Sequence, residues 1–191
     1  MPLSREAVTR LSLGGVTDQT LAADIDATCR LHGTFTLRSG QVSDTYFDKY
    51  LFEAQPALLD RVATQMVALL PEGTELLGAL ELGGVPIATM VSAKTGIPVV
   101  FIRKTAKEYG TAKLAEGPAF EGKRMTLIED VITSGGAVRD AVNALRPAGA
   151  IVDTVVCAID RSPVTGEALR DVNLEIRPVL TKDQLDAVAQ A

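Results

Sequence analysis

The feature that most constrains this chain is a repeated alternation of element types. Short β-branched and apolar runs at 75–80, 98–102, 124–128 and 151–159 are separated by stretches with helical spacing. Such alternation predicts an α/β fold, with a mainly parallel central sheet flanked by helices. Ligands of sheets like this bind beyond the carboxyl ends of the strands. The functional residues are therefore expected in the turns after Leu80, Ile102, Ile128 and Ile159.

The rest of the chain completes this frame. Residues 18–31 read as a helix ended by Gly33, which puts His32 at a helix end. Short strands are expected at 34–37 and 45–49, around a polar turn at 38–43. An amphipathic helix over 56–70 takes Pro56 in its first turn. A long polar segment covers 103–117, and a helix runs from the turn at 133–136 to near Arg146. A short helix at 166–170, a strand at 174–180 and a helix capped by Thr181 finish the chain. With 191 residues, 47% of them hydrophobic, the chain suits one domain over 1–191. Within it, a hood of 18–50 plus the C-terminal segment is expected beside a core of 56–160.

Composition removes several function classes. A net charge of -5 argues against non-specific nucleic-acid binding, which needs Lys and Arg against phosphates. The start lacks the apolar stretch of a signal peptide, and no run is long enough to span a membrane. A cytoplasmic protein with no membrane partner is expected. Cys29 and Cys157 lie far apart, in no metal-ligand spacing, and read as buried or half-buried thiols in a reducing compartment.

The turn after Ile128 carries the strongest chemical signal. An apolar strand delivers Glu129 and Asp130, and Val131, Ile132, Thr133, Ser134, Gly135, Gly136 and Ala137 lead into a helix. A helix start offers free N–H groups and a positive dipole end, which suit a phosphate monoester. The glycines let backbone approach the phosphate, and Thr133 and Ser134 add hydroxyls. Paired carboxylates below it suit vicinal ribose hydroxyls, or a magnesium ion held directly or through water. This segment resembles the phosphoribosyl-pyrophosphate (PRPP) signature of type I phosphoribosyltransferases. The resemblance implies that fold, ribose hydroxyls on Glu129 and Asp130, and the 5-phosphate wrapped by residues 131–137.

Residues 103–113 hold four of the 19 basic residues and one acid. A charge run is ordinarily a solvated face, but its place beside the phosphate strand favours a mobile lid. Such a lid would neutralise a leaving diphosphate and keep water from an oxocarbenium-like sugar. The run is similar to the basic loop of orotate phosphoribosyltransferases, which reaches into the partner's site across a dimer. The resemblance implies PRPP contacts from Arg103, Lys104, Lys107 and Tyr109. Lys107 leads the catalytic candidates, with Arg103 and Asp130. Tyr109 stands where many members have His.

Leu82, Gly83 and Gly84 match that family's pyrophosphate loop, with Gly83 where some members carry Lys, so the lid must supply more of the charge. Residues 35–48 resemble its hood segment, which implies orotate contacts from Arg38, Tyr46 and Phe47. Thr133 would also touch the base, and Arg161 matches the residue that grips the orotate carboxylate, a geometry suited to a guanidinium fork. The resemblance therefore implies magnesium-dependent transfer of phosphoribosyl from PRPP to orotate by a homodimer. It implies no dedicated metal ligands, the ion being held mainly by PRPP. A purine phosphoribosyltransferase and a non-catalytic PRPP-sensing regulator of the same fold are the alternatives. The hood segment and Arg161 speak against the first, and the complete basic lid against the second.

Overall fold

A strand covered on both faces must be apolar on both. All five residues of Leu76–Leu80 and all seven of Thr154–Asp160 are buried, including the polar Thr154 and Asp160. They lie in the middle of a sheet in the computed structural model, which describes residues 17–36, 40–104 and 114–190. The elements are α1 (Thr17–Cys29), β1 (Arg30–Thr36), β2 (Val42–Phe47), α2 (Tyr50–Glu53), α3 (Pro56–Leu69), β3 (Leu76–Leu80), α4 (Gly84–Thr95) and β4 (Val99–Ile102). β5 (Ala115–Glu116), β6 (Met125–Ile132), α5 (Gly136–Leu145), β7 (Thr154–Asp160), a 3-10 turn (Arg170–Val172), β8 (Glu175–Thr181) and α6 (Lys182–Ala189) follow.

The main sheet has the order β5-β4-β3-β6-β7-β8. Every pairing is parallel except that of the edge strand β5 with β4. Successive residues of a strand face opposite sides, and the core divides accordingly. Leu77, Ala79, Ile128 and Val156 pack with Val62 and Met66 of α3 and Ile87 and Val91 of α4. Leu76, Leu80, Leu127 and Val155 pack with Val138, Val142 and Leu145 of α5. Each fully buried Leu, Ile or Val contributes roughly 1.5–3 kcal/mol.

The helices follow from their sequences. In α3, Pro56 occupies the first turn, and Leu58, Leu59, Val62, Ala63, Met66 and Val67 form one buried face. α6 starts at a capping box. Gln184 N–H donates to Thr181 Oγ1 at 3.3 Å, and Thr181 N–H donates to Gln184 Oε1 at 2.8 Å.

The N-terminal part differs in detail from its sequence reading. α1 stops at Cys29, and His32 lies in β1, paired with Thr45 of β2. The antiparallel hairpin captures residues 30 and 31, because pairing with Phe47 and Tyr46 satisfies their backbone in place of a last helical turn. Arg30 ties the start of β1 to Asp26 of α1 at 2.7 Å and to Asp186 of α6 at 3.9 Å. In the core, β6 runs on to Ile132 because β7 still pairs with it there. Glu129 and Asp130 therefore sit inside the strand instead of after it. β7 begins at Thr154, preceded by an isolated bridge between Arg124 and Ile151. The expected helix at 166–170 is a 3-10 turn three residues long at Arg170–Val172. Both cysteines are buried, and burial raises the Cys29 thiol to about 11 and the Cys157 thiol well above its ordinary value. No helix among the described residues is long and apolar enough to cross a membrane.

Candidate active site

The turns after β3, β6 and β7, with Arg103 and Lys104 after β4, lie at the carboxyl edge of the parallel strands, as the doubly covered sheet requires. The candidate phosphate cradle is built from the end of β6 and the start of α5. Gly135 caps α5 with φ 72°, a left-handed conformation that side chains disfavour. A Cβ there would also press within 2.6 Å of Leu169 Cδ2. No side chain caps the helix, so its first N–H groups face the loop formed by the exposed Thr133 and Ser134. Arg139 braces this loop: it donates to Ser134 O at 3.4 Å, to Ala168 O at 2.8 Å and to Asp171 Oδ2 at 2.7 Å.

The turn after β3 is packed under that cradle. Glu81–Leu82 is a cis peptide, Leu82 is exposed, and Gly83 and Gly84 are buried. A Cβ on Gly83 would overlap Asp130 Oδ2, and one on Gly84 would overlap the Ile128 carbonyl oxygen. Only glycine admits so close an approach of this loop to β6.

Asp130 is the fully buried centre of an ionic cluster. The Val131 N–H donates to its Oδ1 at 2.5 Å, and Lys49 Nζ stands 2.5 Å from its Oδ2. Burial disfavours the Lys49 ammonium, but Asp130 and Glu129 outweigh that and hold its pKa above the ordinary lysine value. Glu53 adds a third carboxyl, 8% exposed. Burial first, then the charge and hydrogen bond of Asp130, push Glu53 up to about 8. The same two causes hold Glu129 well above the usual carboxylate range. The Oε1 of Glu53 and the Oε2 of Glu129 are buried without hydrogen-bond partners.

The turn after β7 is fixed by Asp160, which accepts from Ser162 N–H at 2.9 Å and from Gly166 N–H at 2.7 Å. Arg161 N–H donates to Ile132 O at 2.7 Å, which ties this turn to the cradle. The Arg161 guanidinium lies 5.1 Å from the centre of the Phe47 ring, within cation–π range. Two candidate base contacts from distant parts of the chain are thereby brought together. Tyr46, the neighbour of Phe47 on β2, instead stacks on Phe35 with ring centres 5.5 Å apart and is 45% exposed. Consecutive strand residues face opposite ways, so Tyr46 does not join the Arg161 group.

Arg103 directly follows β4, and its N–H donates to Leu114 O at 2.9 Å. Its Nε is buried with no acceptor among the described residues, an arrangement that invites an anion. Lys104 beside it is exposed. Arg38, Lys107 and Tyr109 lie outside the described residues. Sequence reasoning missed Lys49 and Glu53. The only signal was a charged pair, Asp48 and Lys49, directly after the aromatic end of the hood strand.

A family model described as a phosphoribosyl transferase domain matches residues 53–172, which hold all four turns. The chain is 71% identical over 174 residues to an orotate phosphoribosyltransferase of a Nocardioides species, covering 91% of this chain and 97% of that one. A crystal structure of Mycobacterium tuberculosis orotate phosphoribosyltransferase in complex with Fe(III) dicitrate superposes with a TM-score of 0.78. That match has 30% identity and covers 88% of this chain and 98% of the other. A structure of the same enzyme in complex with PRPP gives a TM-score of 0.74 at 26% identity, with the same coverage.

Proposed function

We infer the duties of individual residues from one premise: the chain belongs to the orotate phosphoribosyltransferase family. It is a pentosyltransferase that moves the phosphoribosyl group of PRPP onto orotate, giving orotidine 5'-phosphate and pyrophosphate in pyrimidine biosynthesis. In this reading the 5-phosphate sits in the cradle of residues 131–137, and the ribose hydroxyls meet Glu129 and Asp130. The diphosphate faces the 82–84 loop together with Arg103, Lys104, Lys107 and Tyr109. Orotate lies between Phe47 and the turn of Thr133, its carboxylate on Arg161, with Arg38 in the hood beside it.

The chemistry asks for charge control and no covalent nucleophile. The bond from ribose C1 to the diphosphate oxygen breaks and its electrons leave with the diphosphate. The lone pair of deprotonated orotate N1 forms the new C–N bond. Cations on the leaving group lower this barrier, and holding donor and acceptor in line supplies most of the rest. Magnesium fits as a companion of the diphosphate. Glu129 Oε2 is a buried oxygen without a partner, and among the described residues no group of three or more His, Cys, Asp or Glu is arranged to hold a metal alone. Bound there, the ion would neutralise diphosphate charge. The enzyme works in the cytoplasm as a homodimer whose 103–113 lid closes on the partner's site. The hood of 18–50 with the C-terminal segment covers the core of 56–160.

The observation that carries the base assignment is Arg161 against Phe47, beside the cradle. The test is an absorbance assay with orotate, adenine, guanine and hypoxanthine on wild type and Arg161→Ala. Turnover with orotate alone, and a rise of roughly 100-fold in the orotate KM of the variant, are expected from losing a bidentate charged pair. Equal use of a purine, or an unchanged orotate KM, would overturn the assignment.

A further inference from the structure

Asp130 has no exposed surface, and the group against its Oδ2 is the Lys49 ammonium. A ribose hydroxyl can reach that oxygen only by taking the place of the ammonium. A displaced, half-buried ammonium then needs a new anion, since leaving it unpaired is costly. The position of Lys49 identifies the anion. The Asp130 oxygen it meets is the one that a side chain on Gly83 would overlap. The ammonium and the 82–84 loop therefore meet at one carboxylate oxygen, which puts Lys49 beside a loop that has no charged side chain of its own. Among the described residues the ring near it is Tyr50, 5.3 Å from Nζ, which cannot take over the charge.

We propose that Lys49 is a diphosphate-binding residue, whose ammonium exchanges Asp130 for the leaving diphosphate of PRPP as the ribose hydroxyls take Asp130. The hood thereby lends a cation to a glycine loop that has none. The exchange also couples correct seating of the ribose to stabilisation of the leaving group, because Lys49 is released only when the hydroxyls arrive. This inference rests on the reading that PRPP binds with its ribose at Asp130.

Calorimetric titration of the full chain with PRPP and with ribose 5-phosphate, each with magnesium, tests it. In Lys49→Ala, PRPP affinity falls roughly 10- to 100-fold, as expected for a lost charged contact. Ribose 5-phosphate, which has no diphosphate, binds as tightly as before or tighter, because nothing has to be displaced from Asp130. In the steady state the PRPP KM rises while the orotate KM holds, and Lys49→Arg recovers part of the loss. Lys49→Met keeps the aliphatic stem and serves in place of Lys49→Ala if thermal melting shows the latter unfolded. Equal weakening of both ligands would make Lys49 a mere counter-ion of Asp130 and overturn the proposal, as would unchanged PRPP affinity. If wild type itself bound no PRPP and turned over no orotate, the functional reading would fail instead.

Discussion

The two halves of this site are built in opposite ways. The proposed phosphate cradle comes from one continuous stretch, in which a strand end, two hydroxyls, two glycines and a helix start suffice. The ionic cluster beneath it joins Lys49 and Glu53 at the two ends of α2, Gly83 after β3 and Asp130 in β6. The cradle works through backbone N–H groups that any sequence with the right turn presents. The cluster works through buried charge, whose value depends on partners far away in the chain. Local geometry should therefore tolerate side-chain loss, whereas the cluster should not.

The sharpest way to break that contrast is Gly83→Ala. Its methyl group would overlap the Asp130 carboxylate, so either the loop or β6 must move. A loss of kcat/KM of roughly 1,000-fold is expected from displacing reacting groups, together with destabilisation of roughly 1–3 kcal/mol from overpacking. Near-normal rates and an unchanged urea midpoint would show that the cluster is looser than described. Asp130→Asn is expected to be next in size. It leaves Lys49 half-buried beside a neutral amide, with a loss of roughly 100-fold in kcat/KM for PRPP and a lower melting temperature.

Glu53→Gln sharpens the comparison through pH. Glu53 is raised from 4.5 to about 8 by burial and by Asp130, so the folded chain binds this proton more tightly than the unfolded chain. That stabilisation is complete below the ordinary glutamate value and is lost as pH rises through about 8. Denaturation of the wild type without ligands should therefore show stability falling across this window, with Glu129 adding in the same direction. The amide variant should show a flatter profile, and identical slopes would contradict the assignment. The smallest effect is expected in the cradle: Ser134→Ala removes one hydroxyl and should raise the PRPP KM by roughly tenfold or less, with unchanged stability.

The same division explains what the sequence made legible. Apolar runs spaced by helices dictate a parallel sheet, and its carboxyl edge does hold the turns with unusual residues. The acids and glycines of the cradle were readable because they are neighbours in the chain. Lys49 and Glu53 were not, because no local pattern separates a strand-end lysine that meets Asp130 from one that meets water. The end of α1 at Cys29 was missed because the β1–β2 pairing, a tertiary choice, overrides helical spacing at residues 30 and 31. Tyr46 and Phe47 read as a pair in sequence, yet strand alternation sends them to opposite faces.

A crystal structure with PRPP and magnesium bound tests the whole account most directly. The 5-phosphate is expected on the N–H groups of residues 133–137, the ribose hydroxyls on Asp130, and the Lys49 ammonium moved onto the diphosphate. A donor bound away from Asp130 and Thr133 would contradict it.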